Sequence, residues 1–172
     1  MLWLGYELYI IETENKFNLV MKVSSLFLAI LISTNLSAEL KSKLDRQIEE
    51  LMPKVIEWRH DIHQYPELGN REFRTSKKIE EHLVSLGIEV ETKIAYTGLV
   101  GLIKGGKPGP TIALRADMDA LPVEEKTGLP FASKVRTTYL GNDVGVMHAC
   151  GHDAHVAILM GVAEFLAKNK SD

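Results

Sequence analysis

Nine residues, Met147-His148-Ala149-Cys150-Gly151-His152-Asp153-Ala154-His155, hold the only cysteine, three of the six histidines and an aspartate. His148, Cys150 and His152 alternate at every second position. A chain can wrap such a spacing around one divalent cation, because a thiolate and an imidazole two residues apart converge across a tight turn. They are also the donor pair that zinc-like ions prefer. Gly151 has no Cβ and permits the backbone angles that this turn needs. The apolar run from Val156 to Leu166 predicts a helix, which places Gly151 to Asp153 at its N-terminus. The positive end of that helix favours thiolate over thiol. A single cysteine excludes an internal disulfide, so Cys150 is a ligand, a nucleophile or a filler. The alternative reading of the cluster is a buried structural cysteine beside hydrogen-bonded histidines.

A second cluster is Arg115-Ala116-Asp117-Met118-Asp119-Ala120-Leu121-Pro122. It follows Thr111 to Ala116, an apolar run predicted as a strand. In α/β sheets functional groups collect beyond the carboxyl ends of strands. Asp117 and Asp119, two apart, share one face of an extended chain, and both could approach one cation or one of its ligands. A turn capped by aspartates would also produce this pattern.

The elements that must position these groups are legible in outline. With 172 residues, a net charge of −3 and 45% hydrophobic content, the chain suits one domain with a real core. No basic excess points to nucleic acid. Leu40, Leu44, Ile48, Leu51, Val55 and Trp58 recur in steps of four and three, which predicts a helix that Pro53 should kink or restart. Pro66 and Gly69 end it, and a second helix runs to Leu86, with Ile79, Leu83 and Leu86 inward and Gly87 as its stop. Ile88, Val90 and Thr92 alternate with charged residues as a half-exposed strand does. Gly98 to Lys104 and Thr111 to Ala116 are expected to form a hairpin through the turn-rich Gly105 to Pro110. Glu124 to Val144 is polar and irregular, the pattern of an active-site loop.

The N-terminus contains a second start. From Met21 a short cationic stretch, the apolar Leu26 to Ile32 and a small-residue exit at Ala38 make up a secretory signal peptide. Its apolar core is too short for a spanning helix, which needs about 20 residues. Residues 1–20 then read as an upstream extension from a misassigned start, and the mature chain as 39–172. The expected location is periplasmic or secreted, with no stable membrane anchor after cleavage. If residues 21–38 are instead a buried or amphipathic segment, the protein is cytoplasmic.

Three separated segments carry a family resemblance. Trp58-Arg59-His60-Asp61-Ile62-His63-Gln64-Tyr65-Pro66-Glu67-Leu68-Gly69, Leu114 to Pro122 and Val146 to Asp153 resemble the metal-dependent amidohydrolases of the aminoacylase and hippurate hydrolase group. That group includes the plant hydrolases of indole-acetyl-amino-acid conjugates and bacterial N-acetyl-diaminopimelate deacetylase. The likeness covers roughly Leu51 to Leu166. It implies an α/β fold, the N-terminal part of a three-layer α/β/α zinc-peptidase-like catalytic domain with a mixed sheet.

The resemblance also implies two divalent metal ions, zinc or manganese, and cleavage of small-molecule N-acyl amino acids. Carried over by position, Cys150 and His152 are metal ligands. Asp119 matches the catalytic-site aspartate that orients a metal-bound histidine in related metallopeptidases. His148 and His155 receive no ligand role, and for His63 and Glu67 a packing or supporting role is implied. The family's proton-transferring glutamate comes from a Pro-Ala-Glu-Glu segment on a later strand, which this sequence does not contain. The chain is thus expected to be an N-terminal part, inactive by itself, of an enzyme whose full-length form is a homodimer. Two alternatives stand beside this: a non-catalytic metal-binding remnant, and a thiol hydrolase using Cys150 with His148 or His152 as its base. The thiol enzyme leaves the aspartate pair without work.

Overall fold

The computed structural model describes residue 39 and residues 41–171. The upstream extension, the signal segment and Leu40 lie outside these. The chain divides into two compact units, Met1–Arg46 and Gln47–Asp172. In the first, residues 41–46 are helical, and Arg46 Nε donates to the Ser42 carbonyl at 3.3 Å. No helix among the described residues is long and apolar enough to cross a membrane.

In the second unit, helix α1 (residues 47–64) turns Leu51, Val55, Trp58 and Ile62 inward, whereas Ile48 is exposed. The helix does not restart at Pro53 but runs through it. Proline removes only the bond to the Glu49 carbonyl. Both residues are exposed, so that carbonyl is left to solvent.

Helix α2 (Phe73–Ser85) has no cap from its own Glu72. The cap comes from Glu67, whose carboxylate accepts the backbone N–H groups of Arg74 at 2.9 Å and Thr75 at 2.8 Å. An acid at this end satisfies orphan donors and complements the helix dipole. The helix stops as expected at Gly87 (φ 71°), with Ile88 N–H reaching back to the Leu83 carbonyl at 3.1 Å.

Strand β1 (Glu89–Ile94) shows the expected alternation, Val90 and Thr92 half-buried between exposed charges. Its partner is β2 (Gly98–Leu102), antiparallel from Glu89↔Leu102 to Ile94↔Gly98, with a bulge at Lys93 (φ 64°). This corrects the expected hairpin. Thr111 to Ala116 is not a strand, and Ile112 is 78% exposed. An apolar run becomes a strand only with a partner beside it, and β2 already has β1.

The stretch 124–144 is also less irregular than expected. Its last part belongs to a hairpin of β3 (Arg136–Tyr139) and β4 (Asn142–Gly145), closed by Leu140 (φ 49°) and Gly141 (φ 81°). Two successive positive φ angles mark the turn that matches strand twist. Single bridges then align three distant segments: Leu68 with Ala120 in parallel, and Leu121 with Met147 antiparallel. The pairing is thus mixed within an α/β arrangement.

Helix α3 (His152–Lys168) starts after Gly151 (φ 80°), as its apolar run indicated. It packs on α1 and α2 through Ile62, Val156 and Met160, with Trp58, Ile79, Ala116 and Met118 around them. A Cβ on Gly161 would stand 2.8 Å from Val55 Cγ2, so the glycine sets the closeness of α1 and α3. Buried Glu164 holds Lys54 at 3.0 Å and Lys168 at 2.6 Å. A second small cluster, Leu68, Ala120 and Val146, lies under the bridged segments.

Candidate functional site

The bridge between Leu121 and Met147 sets the aspartate cluster alongside the histidine cluster, with backbone hydrogen bonds of 3.0 Å in both directions. Two residues before the bridge, Asp119 meets the first residue of α3. His152 Nδ1 donates to the Asp119 carbonyl at 2.9 Å and lies 3.0 Å from its Oδ1. Both contacts engage Nδ1, so Nε2 is the nitrogen left to face another group. Cys150 is exposed on the other side of Gly151. The His155 ring lies 5.7 Å from that of His152, one turn further along the same face. Asp117 is not brought to this point; its carboxylate pairs with Arg115. Sequence spacing had put both aspartates on one face; the structure brings only Asp119 to His152.

Beneath lies a buried polar layer. His148 is 4% exposed, and neither ring nitrogen has a hydrogen-bond partner. Burial pushes its pKa down to about 4 against the pull of Asp153, so the ring is neutral at pH 7. Neither His148 nor His152 is hydrogen-bonded to the Cys150 thiol. His63 Nδ1 lies 2.9 Å from Asp153 Oδ2, and its Nε2 lies 3.2 Å from Glu125 Oε1. Arg59 Nε donates to the same Asp153 oxygen at 3.2 Å. Burial raises the Asp153 pKa, but the His63 hydrogen bond, the nearby His148 and the Ala154 amide outweigh it and hold the carboxyl below its ordinary value. Glu125 behaves likewise: burial opposes ionisation, and donors from Thr127, Ser133 and His63 override it. Phe131 stacks on His60 at 3.7 Å and presents an edge to His63 at 5.5 Å. Asp153, Glu125 and Phe131 were not singled out from sequence. For Asp153 a signal existed, its place after His152; for the other two nothing local marked them.

The donor chemistry here suits a zinc-like ion in part. A histidine anchored through Nδ1 by a carboxylate presents Nε2 in the orientation typical of metal ligands. A buried imidazole with two unpartnered nitrogens is also polar capacity that a fully packed core would not leave. Among the described residues, no three donors converge to hold one ion.

Comparison with known proteins fits this geometry. The profile of peptidase family M20/M25/M40 matches residues 113–172, the span that contains Asp119, Cys150 and His152. The chain is thus similar to this peptidase family, and it matches the N-terminal part of its relatives. It is 53% identical over 133 residues to thermostable carboxypeptidase 1 of Saccharolobus solfataricus, covering 77% of this chain and 32% of that protein. With the N-acyl-L-amino acid amidohydrolase of Geobacillus stearothermophilus it shares 38% identity over 132 residues, 77% of this chain and 34% of that one. A Bacillus subtilis crystal structure, described as a dinuclear metal binding peptidase from the M20 family, superposes with a TM-score of 0.63 at 43% identity. The superposition covers 72% of this chain and 32% of the other. The chain thus spans about a third of the length of the relatives it matches.

Proposed function

We propose that these residues form the metal-binding N-terminal part of a hydrolase that cleaves N-acyl amino acids, with Cys150 and His152 as ligands of one of two divalent ions, zinc or manganese. The observation that carries this reading is the 3.0 Å contact of Asp119 Oδ1 with His152 Nδ1. It fixes the ring, sustains electron density on Nε2 and makes Asp119 the supporting carboxylate of the site. Cys150, exposed one residue before the Gly151 cap of α3, adds a sulfur donor. Bound ions supply an activated water and a polarised acyl carbonyl. In the family that the chain resembles, proton transfer to the leaving nitrogen falls to a glutamate on a Pro-Ala-Glu-Glu segment.

The test is cobalt substitution. Cobalt(II) added to the chain should give an intense near-ultraviolet thiolate charge-transfer band, lost in Cys150→Ser and weakened in His152→Ala. A band unchanged in Cys150→Ser sinks the ligand assignment. Assays on N-acetyl and N-benzoyl amino acids, comparing this chain with a form extended through the glutamate pair, test the reaction class. Turnover in neither would count against it.

We further propose that Met21 to Ala38 directs export and is removed, and that the full-length form works as a homodimer. Intact mass of the expressed product, against the mass expected from Glu39 onward, decides the first; sedimentation of the extended form decides the second.

A further inference from the structure

The bridge that joins the two clusters has two faces, and only one of them is filled. Ala120 on one side of it, and Val146 and His148 on the other, are buried. Leu121 and Met147 each stand one residue along from these, so their side chains point the opposite way. The N–H of each donates to the carbonyl of the other at 3.0 Å, which makes them a directly opposed antiparallel pair with both side chains on one side of the ladder. Leu121 is 36% exposed and Met147 is half-buried. Val123, whose carbonyl oxygen would stand 3.2 Å from a Cβ on Gly145, extends the same apolar step at 39% exposure. None of the three belongs to either core cluster. Asp119 precedes Leu121 by two residues and Cys150 follows Met147 by three, so the step adjoins the candidate centre. The neighbouring charges are turned elsewhere: Asp119 to His152, Glu124 to Arg136 and Glu125 to His63.

We propose that Leu121 and Met147 form the subsite for the acyl group of the substrate, and that they select N-acyl amino acids with an extended apolar acyl chain over acetylated ones. This rests on the reading of the site given above. The two sides of the scissile amide differ in charge. The amino acid carries a carboxylate one carbon from the amide nitrogen, and an apolar step gives that anion no donor. The acyl side is neutral, and each methylene it lays on Leu121 and Met147 leaves water. The thioether of Met147 adapts to the shape of what it meets. An acetyl group is too short to reach from the reacting carbon onto this surface. Leu121 and Met147 are thus specificity-determining residues, which touch the part of the substrate that does not react.

Three probes test this by titration into the 172-residue chain carrying carbon-13 methyl labels on leucine and methionine, with and without zinc. N-octanoylglycine and N-acetylglycine share amide and carboxylate and differ only in the acyl tail; N-acetylleucine puts the apolar group on the other side. N-octanoylglycine should shift the methyl signals of Leu121 and Met147 and bind about tenfold or more tighter than the other two. Leu121→Ser should abolish that preference. Equal affinities, shifts confined to other methyls, or no shift overturn the proposal. Signals that move with protein concentration and not with the probe assign the face to a second copy, which also overturns it. Should Leu121→Ser not fold, the comparison of the three probes on the parent chain decides. The cobalt spectrum reads the metal ligands separately. A thiolate band with silent methyls overturns the subsite alone, whereas methyl shifts without the band overturn the metal assignment and leave the subsite standing.

Discussion

Asp119 holds His152 Nδ1 twice, by its own carbonyl at 2.9 Å and by its carboxylate at 3.0 Å. Asp119→Ala removes only the second contact, so the ring keeps its approximate direction and loses its charged partner. Loss of such a supporting group typically costs about 10–100-fold in metal affinity. Cobalt titration of Asp119→Ala should show a weakening of that order with the thiolate band retained. Affinity equal to the parent would mean that the carboxylate does not act through His152.

Gly161→Ala should destabilise the fold despite alanine's better helix propensity. The new Cβ meets Val55 Cγ2 at 2.8 Å, a contact that forces α1 and α3 apart. Overpacking of this kind costs about 1–3 kcal/mol, against about 1 kcal/mol gained from propensity. Urea unfolding should show a net loss, largely recovered in Gly161→Ala combined with Val55→Ala. Additive losses in the double variant would refute the contact as the cause.

His148 should make the metal-free chain acid-labile. Its folded pKa, about 4, lies below the ordinary histidine value of 6.5, so the unfolded chain binds the proton more readily. Stability is therefore full above about pH 6.5 and falls as pH drops toward 4, by about 2 kcal/mol at pH 5. The carboxyls of Asp153 and Glu125 are also lowered, from ordinary values that already lie below that of histidine, so their contributions are lost only at lower pH. Unfolding free energies at pH 7, 6 and 5 measure the slope, and His148→Phe should flatten it. An unaltered slope would assign the acid response elsewhere, His82 being the next group whose pKa burial lowers.

Thr97 anchors the β1–β2 turn by donating to the buried Glu72 carboxylate at 2.6 Å. Thr97→Val keeps the shape and removes the donor. Hydrogen bonds to charged groups are worth about 1.5–3 kcal/mol, and a loss in that range is expected by thermal or urea unfolding. Thr97→Ser should recover most of it.

What the sequence made legible was local. The α3 start at Gly151 and the α2 stop at Gly87 follow from glycine at positive φ beside apolar periodicity. The β3–β4 turn was hidden because Leu140, not a usual residue for φ 49°, occupies its first position. Thr111 to Ala116 misled because an apolar run describes the residues and not the partner they find. In the candidate site, spacing could not tell Asp119 from Asp117, since they differ in a partner 33 residues away, His152, which only Asp119 meets. Nothing local joins His63 to Asp153, which stands 90 residues further along.

The bridges Leu68↔Ala120 and Leu121↔Met147 have a kinetic consequence. Each closes a long chain segment in return for one ladder step, while α2, α3 and both hairpins gain their contacts from near neighbours. Closure entropy grows with segment length, so these junctions form after the local elements and reopen before them. Asp119 sits beside both junctions and His152 five residues past Met147. Their partnership is thus made after the local elements on folding, and it exchanges its protons with solvent before theirs do.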